Sequence, residues 1–483
     1  VWARLRGPVG QVNYVRESLT LDTPGVEYMR WKVGDGKTRF LRRGDVFLSG
    51  LTWRVAQILV GGGYPMPTVK WPLVMERKPW TPTPLDTRGY QEPAVVKMVR
   101  ARRMGVQSPT GSGKTMIGVE AARRIGHRTL WLTHRKELLA QTADVFRDSL
   151  GIVPGIVGAG KDFEGDGRLV IASVQTLARM LDKKRGAPDT VKPWLADFGC
   201  VIGDEGHHAS APTWQDIFEA CTNANYRFVL SATLDTGNEV SNWKIEGATG
   251  PTYIVAETAD LARQGFLAMP HVIVLRVPTD TYPSYEEIRD VVCPGWQANP
   301  RALRSLGARL FTETYERGIM NNGARNSMVV LTAVQHATRQ EKVLVLCSRV
   351  PHAAALMDDA RRLNPCPVYV LDGGCNDLTR QATLNLFKRG AGAILFATPF
   401  FREGVDIPQI DVGVLAGGGL SDVAVTQGLG RVLRPRPDKA EVLWYDFMDG
   451  GALTDRPEKD YLRVHSESRL ALYTTSGFKV ETR

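Results

Sequence analysis

Ser108-Pro109-Thr110-Gly111-Ser112-Gly113-Lys114-Thr115 is the stretch on which the reading of this 483-residue chain turns. An apolar-leaning segment, Met104–Gln107, precedes it, and Met116–Ile125, with apolar residues at helical spacing, follows it. Strand, glycine loop and helix in that order make a phosphate cradle. Gly111 and Gly113 let the backbone approach phosphate oxygens and turn N–H groups toward them, with Ser112 between. Lys114 can then reach the β and γ phosphates, and the Thr115 hydroxyl can ligate Mg²⁺. The pattern usually begins with Gly where this chain has Ser108, so the strict match runs from Gly113 onward.

Outward from this loop, short apolar runs alternate with amphipathic stretches. Thr129–Thr133, Leu169–Val174, Cys200–Gly203 and Phe228–Leu230 read as strands, and Lys136–Leu150 as a helix. A second series follows, with strands at Val343–Cys347, Val368–Leu371, Ala393–Ala397, Val412–Ala416 and Glu441–Tyr445. Arg301–Arg317, Ser327–Ala337 and Tyr461–Tyr473 carry helical patterning. Such alternation argues for α/β architecture, a parallel sheet covered by helices, built twice. The expected organisation is an accessory domain over 1–80, a first lobe over 81–268, a second over 269–450 and a helical tail over 451–483.

Residues 1–80 have another texture. Gln11–Val15, Tyr28–Val33 and Trp53–Val60 read as β-type runs between Gly- and Pro-rich turns. Arg39, Arg42 and Arg43 flank Phe40, and Trp31, Trp53 and Trp71 add aromatic surface. Two readings stay open: a β-rich domain that grips nucleic acid, and a basic structural cap. Lys78-Pro79-Trp80-Thr81-Pro82-Thr83-Pro84 reads as a stiff linker.

The net charge of +10 favours a polyanionic partner such as nucleic acid. Six cysteines are scattered without a CxxC pair, as expected of reduced thiols. No apolar run reaches the length of a transmembrane helix, and no membrane association is expected. The sequence opens on Val1 rather than Met, and Val1-Trp2-Ala3-Arg4 lacks a signal-peptide pattern, so cytoplasmic residence is the expectation.

Val201-Ile202-Gly203-Asp204-Glu205-Gly206-His207-His208 places two acids at the end of a buried strand. Asp204 suits Mg²⁺, and Glu205 suits the attacking water. His207 and His208 as zinc ligands would require a Cys or His cluster that the neighbouring sequence lacks.

These motifs resemble those of a superfamily-2 DExH-box nucleic-acid helicase, a motor of two RecA-like lobes. Asp204-Glu205-Gly206-His207 is similar to its DEAH-type box, with Gly where Ala is commoner. Arg88-Gly89-Tyr90-Gln91 resembles the R-x-Y-Q element upstream of the phosphate loop. Gln91 would read the adenine edge, for which an amide offers the right donor and acceptor. Ser231-Ala232-Thr233 resembles the motif that couples hydrolysis to lobe movement.

In the second lobe, Gln427-Gly428-Leu429-Gly430-Arg431-Val432-Leu433-Arg434 is similar to the family's Q-x-x-G-R-x-x-R motif. The resemblance makes Arg434 the finger on the γ-phosphate, with Arg431 beside it and Gln427 contacting the first lobe. Arginine suits this role because its planar fork stays charged. Thr398 through Pro408 resembles T-x-x-x-x-E-G-x-D-I-P, which implies that Thr398 touches the nucleic-acid backbone while Gly404 and Asp406 face the nucleotide. The likeness is greatest to the branch of UvsW-like, XPB-like and restriction-type motors, and spans about residues 85–475.

Strand grips are implied at Thr133-His134-Arg135-Lys136-Glu137-Leu138, at Ser173-Val174-Gln175-Thr176 and at Ser348-Arg349-Val350. Arg135, Ser173, Thr176 and Arg349 would hold phosphates without reading sequence, although Arg349 also fits a solvated strand-end charge. The expectation is an ATP- and Mg²⁺-dependent helicase or translocase, DNA favoured over RNA, moving 3′→5′ or migrating branches. An RNA helicase and a remodelling subunit without strand separation are the alternatives. A monomer suffices, since one chain carries both lobes.

Overall fold

Leu130-Trp131-Leu132 and Cys200-Val201-Ile202 have no polar face, and such segments form strands only where helices cover both sides of the sheet. That is where they lie. The structure is a computed structural model that describes residues 1–483 apart from 24–34, 72–76, 82, 135, 159–160, 163–165, 183–189, 295–306, 364–365, 399–409, 420–424, 426–427, 430–440 and 451–459. Val1–Pro109 with Gly113–Ala256 form one compact unit, and Glu257–Arg483, with which Thr110–Ser112 are grouped, form the other.

The first unit holds a sheet whose strands run, edge to edge, Thr252–Ile254, Arg103–Gln107, Tyr226–Ser231, Cys200–Asp204, Thr129–Thr133, Asp166–Ser173, Pro154–Gly158 and Lys161–Asp162. All neighbours are parallel except the last pair. Alternate residues of each strand feed opposite cores. Trp131, Ile171, Ile202 and Phe228 pack with Ile117 and Phe146 on one side, while Leu130, Leu132, Val201 and Val229 pack with Trp214 and Phe218 on the other.

Strands Trp2–Arg4 and Val46–Leu48 pair antiparallel near the N-terminus, as do Thr20–Asp22 and Lys37–Arg39. The small β region is therefore present, but two of its expected β runs are helical. Gln11–Val15 lies inside the helix Val9–Ser18, and Trp53–Val60 inside the helix Thr52–Gly61. Their buried residues, Val12 and Val15 in one and Val55, Ala56 and Leu59 in the other, recur at helical spacing. The 3.6-residue period prevailed over the β-branched composition. Tyr28–Val33 lies outside the described residues.

This region is fused to the first sheet's covering helix, Glu239–Thr249. Val240 and Trp243 of that helix belong to the same apolar cluster as Val15, Leu51 and Leu59. At Gly50 a Cβ would lie 2.0 Å from the Glu246 carbonyl oxygen, so the backbones meet without space for a side chain. Arg54 pairs with Glu246 at 2.5 Å while its guanidinium lies 4.6 Å from the Trp243 ring centroid.

The second unit's sheet is wholly parallel, in the order Val368–Leu371, Ala393–Ala397, Lys342–Leu346, Val412–Leu415, Glu441–Met448, Met269–Arg276 and Lys479–Thr482. The helices Gly323–Thr338 and Tyr461–Thr475 are tied to it by buried charge. Arg325 pairs with Asp449 at 2.6 Å and Arg469 with Asp446 at 2.9 Å, all four side chains being almost wholly buried. Tyr282 donates to Asp449 and Tyr473 to Asp446, so the carboxylates are also hydrogen-bonded. Lys479–Thr482 continues the chain as an edge strand.

Among the described residues no helix is long and apolar enough to cross a membrane. The six cysteines are free thiols, and burial pushes Cys200 and Cys221 up to about 12.

Candidate nucleotide site and strand-facing residues

Three adjacent parallel strands carry the first unit's candidate residues at one edge. Register pairs Ser231 with Gln107 and Asp204 with Leu230, so the loop after Gln107, the acids after Gly203 and the Ser231 turn emerge side by side. Ligands of open parallel sheets bind at such carboxyl ends. The Ser108 N–H donates to the Ser231 carbonyl at 3.0 Å, fixing the loop's root.

Gly111 and Gly113 both adopt positive φ, 84° and 77°, and Gly113 caps the helix Lys114–Ile125. The helix therefore presents its first N–H groups to whatever the loop encloses, a favourable setting for anionic oxygens. Ser112 is buried, and Lys114 Nζ donates to the Pro109 carbonyl at 3.3 Å within the loop. Thr115 stands in the first turn of that helix.

Gln91 is 3% exposed and directly precedes the helix Glu92–Ala101. Its Oε1 accepts from the Arg88 N–H at 2.9 Å, and its Nε2 donates to the Gly113 carbonyl at 3.5 Å. A Cβ on Gly113 would lie 2.6 Å from Gln91 Nε2. Upstream element and phosphate loop are thus in direct contact.

Asp204 ends its strand, and its Oδ1 accepts from the Glu205 N–H at 3.0 Å. Glu205 sits at φ 54°, a left-handed conformation that a side-chain-bearing residue adopts at a cost of about 1–3 kcal/mol. Its buried Oε2 accepts no hydrogen bond among the described residues, although His207 Nδ1 lies 3.5 Å away. A buried acceptor in that condition suits a polarised water. The glycine at the next position has a local cause, because a Cβ on Gly206 would lie 2.4 Å from that of Val229.

His207 Nδ1 lies 3.1 Å from Ser231 Oγ, which itself donates to the Thr233 carbonyl at 2.6 Å. The serine's one hydrogen is spent on Thr233, so His207 Nδ1 carries the proton and donates. His208 continues from His207 at a ring separation of 4.1 Å and stacks on His134 at 4.3 Å. His134 Nδ1 lies 3.2 Å from Gln175 Nε2, and Ser173 Oγ donates to Gln175 Oε1 at 2.9 Å. An unbroken ladder of polar side chains therefore runs from the acidic box to the Ser173–Thr176 turn.

Ser173 precedes the helix Val174–Leu181, and Thr176 lies in its first turn. In the second unit, Thr398 follows the strand Ala393–Ala397 and Arg349 precedes the helix Val350–Leu363. Arg135, Gly404, Asp406, Gln427, Arg431 and Arg434 lie outside the described residues. The ladder's His134, Gln175 and His208 were missed as site residues. Their signal was the doubled histidine after Gly206, together with the His and Gln inside the Thr133–Leu138 and Ser173–Thr176 motifs.

The donor set of the first unit fits Mg-ATP. Asp204 and Thr115 would hold the metal with one carboxylate and one hydroxyl, and phosphate oxygens and water would supply the remaining ligands. Among the described residues no three His, Cys, Asp or Glu side chains gather as a metal cluster, and magnesium held through phosphates requires none.

Family models match both units. "Type III restriction enzyme, res subunit" matches residues 84–236, and "Helicase conserved C-terminal domain" matches 326–436. The chain belongs to the superfamily-2, ATP-dependent helicases. It is 24% identical to the ATP-dependent DNA helicase UvsW of Enterobacteria phage T4 over 82% of this chain and 76% of that protein. It is 26% identical to the DNA 3′-5′ helicase XPB of Kineococcus radiotolerans over 80% of this chain and 62% of that one. The fold matches the ATP-dependent Type ISP restriction-modification enzyme LlaBIII bound to DNA, with a TM-score of 0.57 and 13% identity, over 83% of this chain and 31% of that one.

Proposed function

We propose that this superfamily-2 chain is a DNA translocase or helicase that couples Mg-ATP hydrolysis to movement along its substrate. The observation that carries the reading is the alignment of the 108–115 loop, Asp204–Glu205 and Ser231 at the ends of three adjacent parallel strands. Gln91 would face the adenine, and the loop backbone with Lys114 would hold the phosphates. Mg²⁺, held by Thr115 and Asp204, would supply charge neutralisation at the β and γ phosphates. Glu205 would orient and deprotonate the attacking water through Oε2. By family resemblance, Arg434 and Arg431 act on the γ-phosphate, with Gln427, Gly404 and Asp406 in support.

Coupling follows from the ladder. A change at Glu205 would alter His207, then Ser231 and Thr233 on one side and His208, His134 and Gln175 on the other. Arg135, Ser173 and Thr176, with Arg349 and Thr398 in the second unit, would grip the strand backbone. Movement requires that grip to differ in strength between ATP and ADP states. DNA is favoured by the names of the relatives, and 3′→5′ polarity by that of XPB. Residues 1–71 hold eleven Lys and Arg against five Asp and Glu, which supports a nucleic-acid-facing surface there.

ATPase measured with single-stranded DNA, forked DNA and RNA in parallel at fixed salt tests the reading. Stronger stimulation by DNA is expected. Stimulation by RNA alone would favour the RNA reading, and no stimulation by any of them would reject the motor.

A further inference from the structure

The helix that follows the phosphate loop carries a buried carboxylate with no part in the proposed chemistry. Glu120 is fully buried, six residues beyond Lys114. Arg123 donates to both of its oxygens, at 2.6 and 2.7 Å, and Arg124 donates to Oε1 at 2.6 Å. The Leu85 N–H adds a contact at 3.3 Å.

Each arginine also reaches away from the helix. Arg123 Nη1 donates to the Thr81 carbonyl at 2.6 Å, and the Arg123 carbonyl accepts from the Trp80 N–H at 3.0 Å. Arg124 forks onto Glu92, at 2.7 and 2.6 Å, and Glu92 is the residue next to Gln91. Thr87 donates to the same carboxylate. The segment between the N-terminal region and Gln91 is therefore held at Trp80, Thr81, Leu85, Thr87 and Glu92. All of these contacts except that of Thr87, which joins Glu92 directly, are made with Glu120, Arg123 or Arg124.

An amide that selects a base must be aimed within a few tenths of an ångström, and its own rotamer cannot do that if its backbone drifts. We propose that Glu120, acting through Arg124 and Glu92, is a positioning residue for nucleobase selection, holding Gln91 against Gly113 so that its amide meets the adenine edge. This rests on the reading that Gln91 faces adenine. The arginines hold both carboxyls below their usual range, and Glu120 stays ionised against the pull of burial. The clamp is thus intact at neutral pH.

The test compares kcat and KM for ATP and GTP in the full chain and its Gln91→Ala, Glu92→Gln, Glu92→Asp and Glu120→Gln variants. Gln91→Ala should lower the ATP:GTP ratio of kcat/KM by about tenfold, the worth of one directional hydrogen bond. Glu92→Gln and Glu120→Gln should lower it toward the same value by raising KM for ATP and not for GTP. Their kcat should hold, and Glu92→Asp should restore part of the preference. Adding Glu92→Gln to Gln91→Ala should change the ratio no further.

An unchanged ratio in Gln91→Ala would remove the adenine reading itself. A lowered ratio there, with Glu92→Gln and Glu120→Gln like wild type or raised equally in both KM values, would overturn the positioning role alone. Should Glu120→Gln fail to fold, Glu92→Gln decides, because its carboxylate is 43% exposed.

Discussion

His134 and His208 stack with ring centroids 4.3 Å apart and planes 26° from parallel. One stands at the end of the strand Thr129–Thr133 and the other in the turn after Asp204, so two motifs distant in sequence share a face. An aromatic pair of this kind is worth about 1 kcal/mol, or about fivefold in an equilibrium. His208→Ala should therefore lower DNA stimulation of the ATPase about fivefold while leaving the DNA-free rate within about twofold. A parallel drop in both rates would place His208 in the structure of the acid box instead.

Glu205→Gln keeps the shape of the side chain and removes its basicity. ATP binding should persist, and turnover should fall by at least about a hundredfold, the usual share of general-base catalysis. Equilibrium binding of a fluorescent ATP analogue with single-turnover hydrolysis separates the two effects. Lys114→Ala should instead lose both.

His352 makes the second unit sensitive to acid. Burial, then the nearby Arg325, lowers it from the ordinary 6.5 to about 3, so it remains neutral in the fold. The unfolded chain takes up that proton first. Stability is therefore full above pH 6.5 and falls as pH drops toward 3, by at most about 1.4 kcal/mol per unit. Denaturant unfolding at about pH 7.5, 6.0 and 4.5 should show this slope, and His352→Gln should flatten it.

Arg325 and Asp449 form a buried pair whose disruption leaves the carboxylate, among the described residues, with only the more distant Arg469, at 3.6 Å, and the Tyr282 hydroxyl. Arg325→Met should destabilise the second unit by about 3–5 kcal/mol in urea unfolding. Arg325→Met combined with Asp449→Leu should cost less than the single change, because no buried carboxylate then lacks its close partner.

Arg4, Arg6 and Arg43 are exposed, and Trp2 beside them carries the Arg42 guanidinium 4.2 Å from its ring centroid. Replacing the three arginines by Gln should weaken nucleic-acid binding and reduce the log–log salt slope by about 1 for each phosphate no longer neutralised. An unchanged slope favours the structural cap. Deleting residues 1–80 is a poorer test, since it would uncover Val240 and Trp243.

Both parallel sheets were legible because their strands are apolar on both faces, and Thr129–Thr133, Val368–Leu371 and Ala393–Ala397 fall where expected. Lys479–Thr482 was not, since an edge strand in a polar tail has little apolar content to betray it. The N-terminal helices were misread because Val and Ile favour strands locally while their spacing served a helix. In the site, the glycine loop and the acids announce themselves through special backbone needs. His134, Gln175 and Glu120 do not, for their roles depend on neighbours far away in sequence.

Gly50 against Glu246, with Arg54 laid over Trp243, leaves no hinge among the described residues between the N-terminal region and the first sheet. A strand seized by the N-terminal residues must then travel as ballast with that sheet and turn through the same angle. On the nucleic-acid-binding reading, the region would lengthen the first unit's reach along a substrate and would not serve as an independent anchor against which that unit pulls.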